Sequence, residues 1–227
     1  MKIPSHIVLF PDGNRRWAKE KGLSMKDGYI KGKDKFNDFL RWCHKRGVKA
    51  VTVFGFSSEN WKRPQDQVDF LMGVFEKYLG EGIGEFNKEG VRVRVIGERE
   101  KLSKSLKKVI EEVEKETQNN SRVYLNLAVS YGGKWDIINA VKKIIKEGID
   151  AEKITEEFFD DYLSTAGLPE PDLIIRAGGE MRLSNFVLWQ SAYAELYFSE
   201  KLWPDFQEED LNKALKEFDD RQRRFGR

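Results

Sequence analysis

Three short apolar runs, each breaking off into the same kind of polar cluster, constrain this chain more than any other feature. His6-Ile7-Val8-Leu9-Phe10 runs into Pro11-Asp12-Gly13-Asn14-Arg15-Arg16-Trp17, and Val51 to Phe56 runs into Ser57-Ser58-Glu59-Asn60-Trp61-Lys62-Arg63. Leu173-Ile174-Ile175 leads into Arg176 to Glu195, which holds a Gly-Gly pair, Arg182, Ser184 and two carboxylates. Glycines let a backbone approach a ligand closely, and the guanidinium fork suits phosphate oxygens. A carboxylate such as Glu195 can hold a divalent metal that shares those oxygens. Taken alone, each cluster equally fits a tight turn with surface salt bridges. Repeated after three strands, they match one α/β active site, because open parallel sheets bind ligands beyond the carboxyl ends of their strands.

The rest of the chain alternates in the same manner. Phe36, Phe39, Leu40 and Cys43 recur at helical spacing, and Gly47 ends that helix. Pro64 opens a long helix with Val68, Leu71, Met72, Phe75, Leu79, Ile83 and Phe86 on its apolar face. Gly80, Gly82 and Gly84 interrupt it at about 1 kcal/mol each, so it either bends there or ends near residue 80. Strands are expected at 91–96, 122–129, 172–175 and 195–198, and helices at 100–117, after Tyr131-Gly132-Gly133, at 156–163 and beyond Trp203-Pro204. Ile137, Ile138, Val141, Ile144 and Ile145 are the apolar positions of the helix after Gly133. The expectation is a single α/β domain over 1–227, with a central, mainly parallel six-stranded sheet flanked by helices.

Composition removes several classes of function. Lys+Arg 40 against Asp+Glu 38 leaves a net charge of +2, so general nucleic-acid binding is not indicated. No GxGxxG follows the first strand and no P-loop pattern is present. No run reaches the roughly 18 apolar residues of a membrane span, and the N-terminus lacks a signal peptide's apolar region. The one cysteine, Cys43, excludes an intramolecular disulfide, suits a reducing cytoplasm, and is expected to be a small buried hydrophobe. His6 and His44 fall in no metal-ligand spacing and are expected to be structural.

Pro-Asp-Gly-Asn-Arg-Arg-Trp-Ala at 11–18, Phe-Ser-Ser-Glu-Asn-Trp at 56–61 with Arg63-Pro64, and Arg176 to Glu195 followed by Leu196-Tyr197-Phe198 resemble the signatures of the cis-prenyltransferases, the undecaprenyl diphosphate synthase family. Tyr131-Gly132-Gly133 and Leu202-Trp203-Pro204 extend the likeness to nearly the whole chain. The resemblance implies Mg2+-dependent addition of isopentenyl diphosphate to an allylic prenyl diphosphate, with each new double bond cis. It implies a homodimer with a hydrophobic tunnel in each subunit, its wall built from strand two and the helix after Pro64, with Gly55, Leu71, Met72, Phe75 and Leu79 facing the chain. A cytoplasmic enzyme of this kind would meet its lipid product from the water side, by peripheral contact with the membrane.

Site residues follow from the same resemblance. Asp12 corresponds to the catalytic metal ligand and Glu195 to a second ligand. Gly13, Asn14, Arg15 and Arg16 correspond to the allylic diphosphate loop, with Trp17 lining the pocket. Arg176, Arg182, Leu183 and Ser184 correspond to the pocket for the isopentenyl diphosphate head group. Phe56, Ser57, Ser58, Glu59, Asn60, Trp61 and Arg63 correspond to the loop over the reacting carbons. The family gives Asn60 a part in proton removal; a neutral amide is a poor base, so orientation by Asn60 and a phosphate oxygen as acceptor make better chemistry. Arg224-Phe225-Gly226 resembles a C-terminal motif that reaches a neighbouring subunit's site.

Two positions depart from the family pattern. Met25 and Tyr29 stand where an arginine and a histidine usually contact the allylic diphosphate, with Lys26 or Lys31 as replacements for the lost charge. The departures bear on the choice of primer more than on the reaction. Two alternatives follow: a relative making short or branched products, and a non-catalytic partner subunit. The second sits poorly with the presence of Asp12 and Arg16.

Overall fold

Valine, isoleucine and leucine crowd the expected strands, and the computed structural model, which describes residues 1–221, forms a strand at each of them. The strands are β1 (His6–Phe10), β2 (Ala50–Ser57), β3 (Val91–Ile96), β4 (Val123–Tyr131), β5 (Leu173–Arg176) and β6 (Glu195–Phe198). They make one sheet in the order β3-β4-β2-β1-β5-β6, parallel at every pairing. β2, β1 and β5 are therefore neighbours, and the three polar clusters leave the sheet side by side at one end. The helices are α1 (Asn14–Glu20), α2 (Met25–Lys45), α3 (Gln65–Glu89), α4 (Lys104–Glu116), α5 (Gly133–Lys146), α6 (Glu156–Asp160) and α7 (Glu208–Asp220).

Successive strand residues point to opposite faces. Ile7, Leu9, Val51, Val53, Leu125, Leu127, Leu173 and Ile175 join the main core with the apolar stripes of α2, α3, α4 and α7. Val8, Phe10, Ala128 and Ile174 face a smaller cluster with Tyr131, Phe186 and Val187. Cys43 is fully buried among aliphatic and aromatic side chains, and that burial pushes its thiol pKa up, so it is a packing residue. His6 is also internal: Nε2 bonds Thr52 Oγ1 at 2.7 Å, Nδ1 bonds the Pro169 carbonyl at 2.7 Å, and Asn126 completes the row across β1, β2 and β4.

The structure differs from the sequence reading in three places. The segment after Gly13 is a helix rather than an open loop, and Ser58–Lys62 winds into a 3₁₀ turn. α3 does not stop near residue 80 but runs through all three glycines to Glu89. At Gly82 the Phe86 ring takes the place a side chain would need, with a Cβ there coming within 2.6 Å of it. Of the five expected apolar positions on α5, Ile144 is buried and Ile137 partly buried, and the other three are exposed. Ala140 and Ile144 are buried, whereas Ile138, Val141 and Ile145 are exposed, because the second face of the sheet carries a thinner cover than the first.

Candidate active site

Asp12 leaves β1 and the backbone turns at once into α1 through Gly13. Gly13 has φ 107°, and a Cβ there would come within 2.8 Å of Leu202, so this junction requires glycine. The Asp12 carbonyl accepts from Trp203 N–H at 2.8 Å, which ties the turn to the Leu202-Trp203-Pro204 segment. α1 then lies against α2 at Gly28 and Gly32, where any Cβ would collide with Asn14. Asn14 Nδ2 donates to the Pro11 carbonyl at 2.9 Å, while its buried Oδ1 has no hydrogen-bond partner among the described residues. Arg16 reaches across to the Gly178 carbonyl at 2.6 Å.

Arg176 is the hub of the site. It is 4% exposed, and its Nε and Nη2 donate to Asp12 Oδ2 at 3.0 and 2.8 Å. Nη1 donates to Ser184 Oγ at 2.9 Å and to the Arg182 carbonyl, and the guanidinium lies over Phe10 at 4.8 Å. Nearly all of its donors are thus used inside the protein. Arg182, by contrast, has an exposed side chain that among the described residues pairs with Glu180 alone. The loop that follows Arg182 is strained: Ser184, Asn185 and Val187 have φ of 47°, 63° and 40°. A β-branched residue at such a value is an outlier held by its surroundings, and Val187 is completely buried.

The third cluster closes over the other two. β2 shifts register between Phe54 and Ser57, which turns its end toward the cavity. Asn60 Oδ1 accepts from Ser57 N–H at 3.0 Å, leaving its NH2 group as a donor. Glu59 accepts from Asn185 Nδ2 at 2.8 Å. Burial opposes its charge, but the Asn185, Ser57 and Ser58 hydrogen bonds outweigh it and hold the carboxyl below its ordinary value. Arg63 Nη1 donates to Tyr29 Oη at 3.0 Å, joining this turn to α2.

A cavity of about 750 Å3 opens among these groups. Asp12, Gly13, Asn14, Arg15, Arg16, Tyr29, Ser57, Glu59, Asn60, Arg63, Arg176, Arg182 and Ser184 line it, all expected from sequence. Phe36, Val53, Phe54, Gly55, Leu71, Val74, Phe75, Tyr78 and Leu127 form its apolar part. Lys33, Asn185 and Trp203 also line it and were missed. Lys33 follows at helical spacing from Tyr29, a cue the sequence carried, whereas Asn185 is placed only by the left-handed loop. The added cation is thus Lys33, while Lys31 is exposed and Lys26 lies over Phe70 at 5.5 Å.

Several expected residues stand elsewhere. Phe56 is buried and meets Trp61 edge-on at 5.1 Å, and Trp61 Nε1 donates to Ser130, so both support the turn from behind. Trp17 Nε1 donates to Asp205, Leu183 packs on the smaller core cluster, Ser58 lies against Gly132, and Met25 begins α2. Leu79 is buried in the core and Met72 packs against it, outside the tunnel wall expected of them. Glu195 is the larger correction. It begins β6 level with Leu173, and so with Ile7, roughly 10 Å of strand below Phe10, and it pairs with Arg221 at 2.8 Å. Asp12 and Glu195 do not meet at one metal within this chain. Arg224-Phe225-Gly226 lies outside the described residues.

With this geometry in hand, likeness to known proteins becomes informative. The prenyltransferase family profile for undecaprenyl diphosphate synthases matches residues 10–226. The chain belongs to the undecaprenyl diphosphate synthase family. It is 47% identical over 225 residues to an isoprenyl transferase of Neisseria meningitidis, covering 99% of this chain and 90% of that one. It is 44% identical over 229 residues to the ditrans,polycis-undecaprenyl-diphosphate synthase ((2E,6E)-farnesyl-diphosphate specific) of Legionella pneumophila, covering 99% and 96%. The crystal structure of lavandulyl diphosphate synthase from Lavandula x intermedia in complex with dimethylallyl diphosphate superposes with TM-score 0.94 at 36% identity, covering 99% of this chain and 98% of that one. This cis-prenyltransferase family thus supplies the context for the cavity, and the chain is read as one of its enzymes.

The donor set also fits the divalent metal that the family implies. Asp12 is 39% exposed, and both of its bonds from Arg176 fall on Oδ2; among the described residues none reaches Oδ1. Mg2+ is usually held by one or two carboxylates, with substrate phosphates and water completing the shell. Among the described residues no group of three or more His, Cys, Asp or Glu side chains could hold a metal unaided. The phosphates would have to complete it.

Proposed function

We propose that this protein condenses isopentenyl diphosphate with an allylic prenyl diphosphate, forming cis double bonds in a polyprenyl diphosphate. The observation that carries the reading is the cavity's two-part lining. Three polar clusters surround one part, and Val53, Phe54, Leu71, Val74, Phe75 and Leu127 line the other. A diphosphate with an apolar tail has that same division.

In this reaction the allylic C–O bond breaks and diphosphate leaves with the electron pair. The alkene of isopentenyl diphosphate bonds to the freed allylic carbon, and a proton is lost beside the new bond. Mg2+, when bound through Asp12 and the phosphates, would neutralise charge on the leaving group. Arg15 and Arg63 offer charge-assisted donors to an allylic diphosphate, and Lys33 replaces the cation missing at Met25. Tyr29, held by Arg63, stands in for the family's imidazole as a neutral hydrogen-bonding group. Exposed Arg182 and Ser184 bind the second diphosphate, while Arg176 orients Asp12 and the 182–184 loop. Asn60 orients an oxygen through its NH2 group, and a phosphate oxygen accepts the proton.

A second reading concerns the product rather than the reaction. The close fold match to lavandulyl diphosphate synthase favours short or branched products, whereas identity to the Legionella enzyme favours long ones. Incubation with labelled isopentenyl diphosphate and a panel of allylic primers, with and without Mg2+, tests both. Chain-extended cis products are expected with Mg2+ only. Branched products would select the second reading, and no incorporation at all would reject both. A homodimer is part of the same proposal, supported by the exposed apolar stripe Ile138, Val141 and Ile145 on α5. No helix among the described residues is long and apolar enough to cross a membrane, so a cytoplasmic enzyme releasing product at the membrane surface is consistent with the fold.

A further inference from the structure

Asn185 stands where two of the polar clusters meet the start of α5. Its backbone lies in the left-handed region at φ 63°, a conformation that asparagine tolerates better than most residues. Both ends of its amide are used. Nδ2 donates to Glu59 Oε1 at 2.8 Å, and Oδ1 accepts from Lys134 N–H at 2.9 Å. The Asn185 carbonyl accepts from Gly133 N–H at 2.6 Å. Beside these bonds lies Gly132, where an added Cβ would come within 2.5 Å of Ser58 Oγ and 2.8 Å of Asn185 Nδ2. Glycine at that point lets the two loops close tightly on α5.

This clasp joins two parts of the cavity that the proposed reaction must keep aligned. Ser184, the preceding residue, belongs with Arg182 to the pocket read as holding the second diphosphate. Asn60 follows Glu59 in the 3₁₀ turn read as lying over the reacting carbons. We propose that Asn185 is a positioning residue: it locks the Glu59 turn to the diphosphate pocket, so that the site which holds the head group of isopentenyl diphosphate also fixes where Asn60 stands. This inference rests on the reaction proposed above. Glu59 supplies the acceptor, and the carboxyl pKa held below its ordinary value keeps it charged, which makes the bond from Asn185 charge-assisted. Asn185 need not touch substrate to act in this way.

The test exchanges donor and acceptor in the full chain, with labelled isopentenyl diphosphate and an allylic primer, at neutral pH and well below each protein's Tm. Asn185→Asp keeps the size of the side chain, its tolerance of the left-handed backbone and an acceptor for Lys134 N–H, but sets a second carboxylate against Glu59. It should lower kcat by about tenfold or more. The KM for the primer should change little, because the Arg63 end of the turn is tied separately to Tyr29. Adding Glu59→Gln to Asn185→Asp restores the bond in the opposite sense, the amide now donating. The kcat of that double variant should exceed the product of the two single effects by about tenfold. A double variant at that product would overturn the clasp. So would a loss from Asn185→Asp that is confined to Tm or carried mainly by the primer's KM. If Asn185→Asp fails to fold, Gly132→Ala decides: a Cβ there wedges Ser58 from Asn185 and should lower kcat, and a normal kcat would overturn the proposal. A parent protein that incorporates no label with any primer fails the elongation reading and takes the clasp with it, whereas an active parent whose double variant shows no recovery sinks the clasp alone.

Discussion

Asp12 and Arg176 act as a unit, and this changes what their substitution should do. Removing Asp12 strands the buried Arg176 guanidinium, at a cost below the ~3–5 kcal/mol of a fully buried pair because Asp12 itself is 39% exposed and screened by solvent. Asp12→Ala should therefore lose turnover by orders of magnitude and also lower the unfolding free energy, whereas Asp12→Asn should keep most of the stability and still lose turnover. Denaturant unfolding beside a rate assay separates the two effects. Arg182 is exposed and free of that network, so Arg182→Ala should act on one substrate only. Loss of a charge-assisted contact, about 1.5–3 kcal/mol, corresponds to roughly a 10- to 150-fold rise in the KM for isopentenyl diphosphate. A change in the primer's KM instead would exchange the two pockets. His6 supplies a pH dependence. Burial outweighs the Pro169 carbonyl and the Asp172 charge, and holds its pKa below the ordinary 6.5. The unfolded chain then binds the proton first, so stability should fall as pH drops through 6.5 toward the folded value. Unfolding free energies on either side of that pH check the sign.

Among the elements, α3 and α1 mark where sequence reasoning reached its limit. Periodicity placed the apolar face of α3 correctly, but propensity alone left its length open, because packing on α2 and α4 outweighs three glycines. Gly84 and Gly82 now separate. A Cβ at Gly84 meets nothing within 4 Å, so Gly84→Ala should stabilise the protein by up to about 1 kcal/mol, read as a raised Tm. At Gly82 the Phe86 ring is in the way, and the gain should shrink or reverse. α1 was invisible for another reason. Its short sequence is dominated by charged and polar residues without a repeating apolar stripe, and it is fixed by Gly13, Gly28 and Trp203 rather than by its own pattern. The clusters of Asp12 and Asn60 were legible because the chemistry depends on residue types in tight spacing. Asn185 was not, since a left-handed loop brings it in, whereas Lys33 was overlooked although its helical spacing from Tyr29 was readable. The placement of Glu195 was misread because motif proximity in sequence says nothing about which end of a strand a residue occupies.

At the scale of the whole molecule, alternation of strands and helices was enough to give a parallel α/β sheet, and the strand order explains why three separated motifs share one cavity. What alternation could not give is the unequal cover of the two faces. The exposed stripe on α5 follows from it, and Ile138→Asp with Ile145→Asp should shift the protein from dimer to monomer in sedimentation at fixed concentration. The central claim is that the cavity extends an allylic diphosphate with isopentenyl diphosphate. It is tested most directly by mixing the purified protein with labelled isopentenyl diphosphate, Mg2+ and primers of graded length, and identifying products by chromatography and double-bond geometry. The account predicts longer prenyl diphosphates whose newly formed double bonds are cis, absent from a folded Asp12→Asn control. Folded protein that incorporates no label with any primer, or that forms trans double bonds, would contradict it.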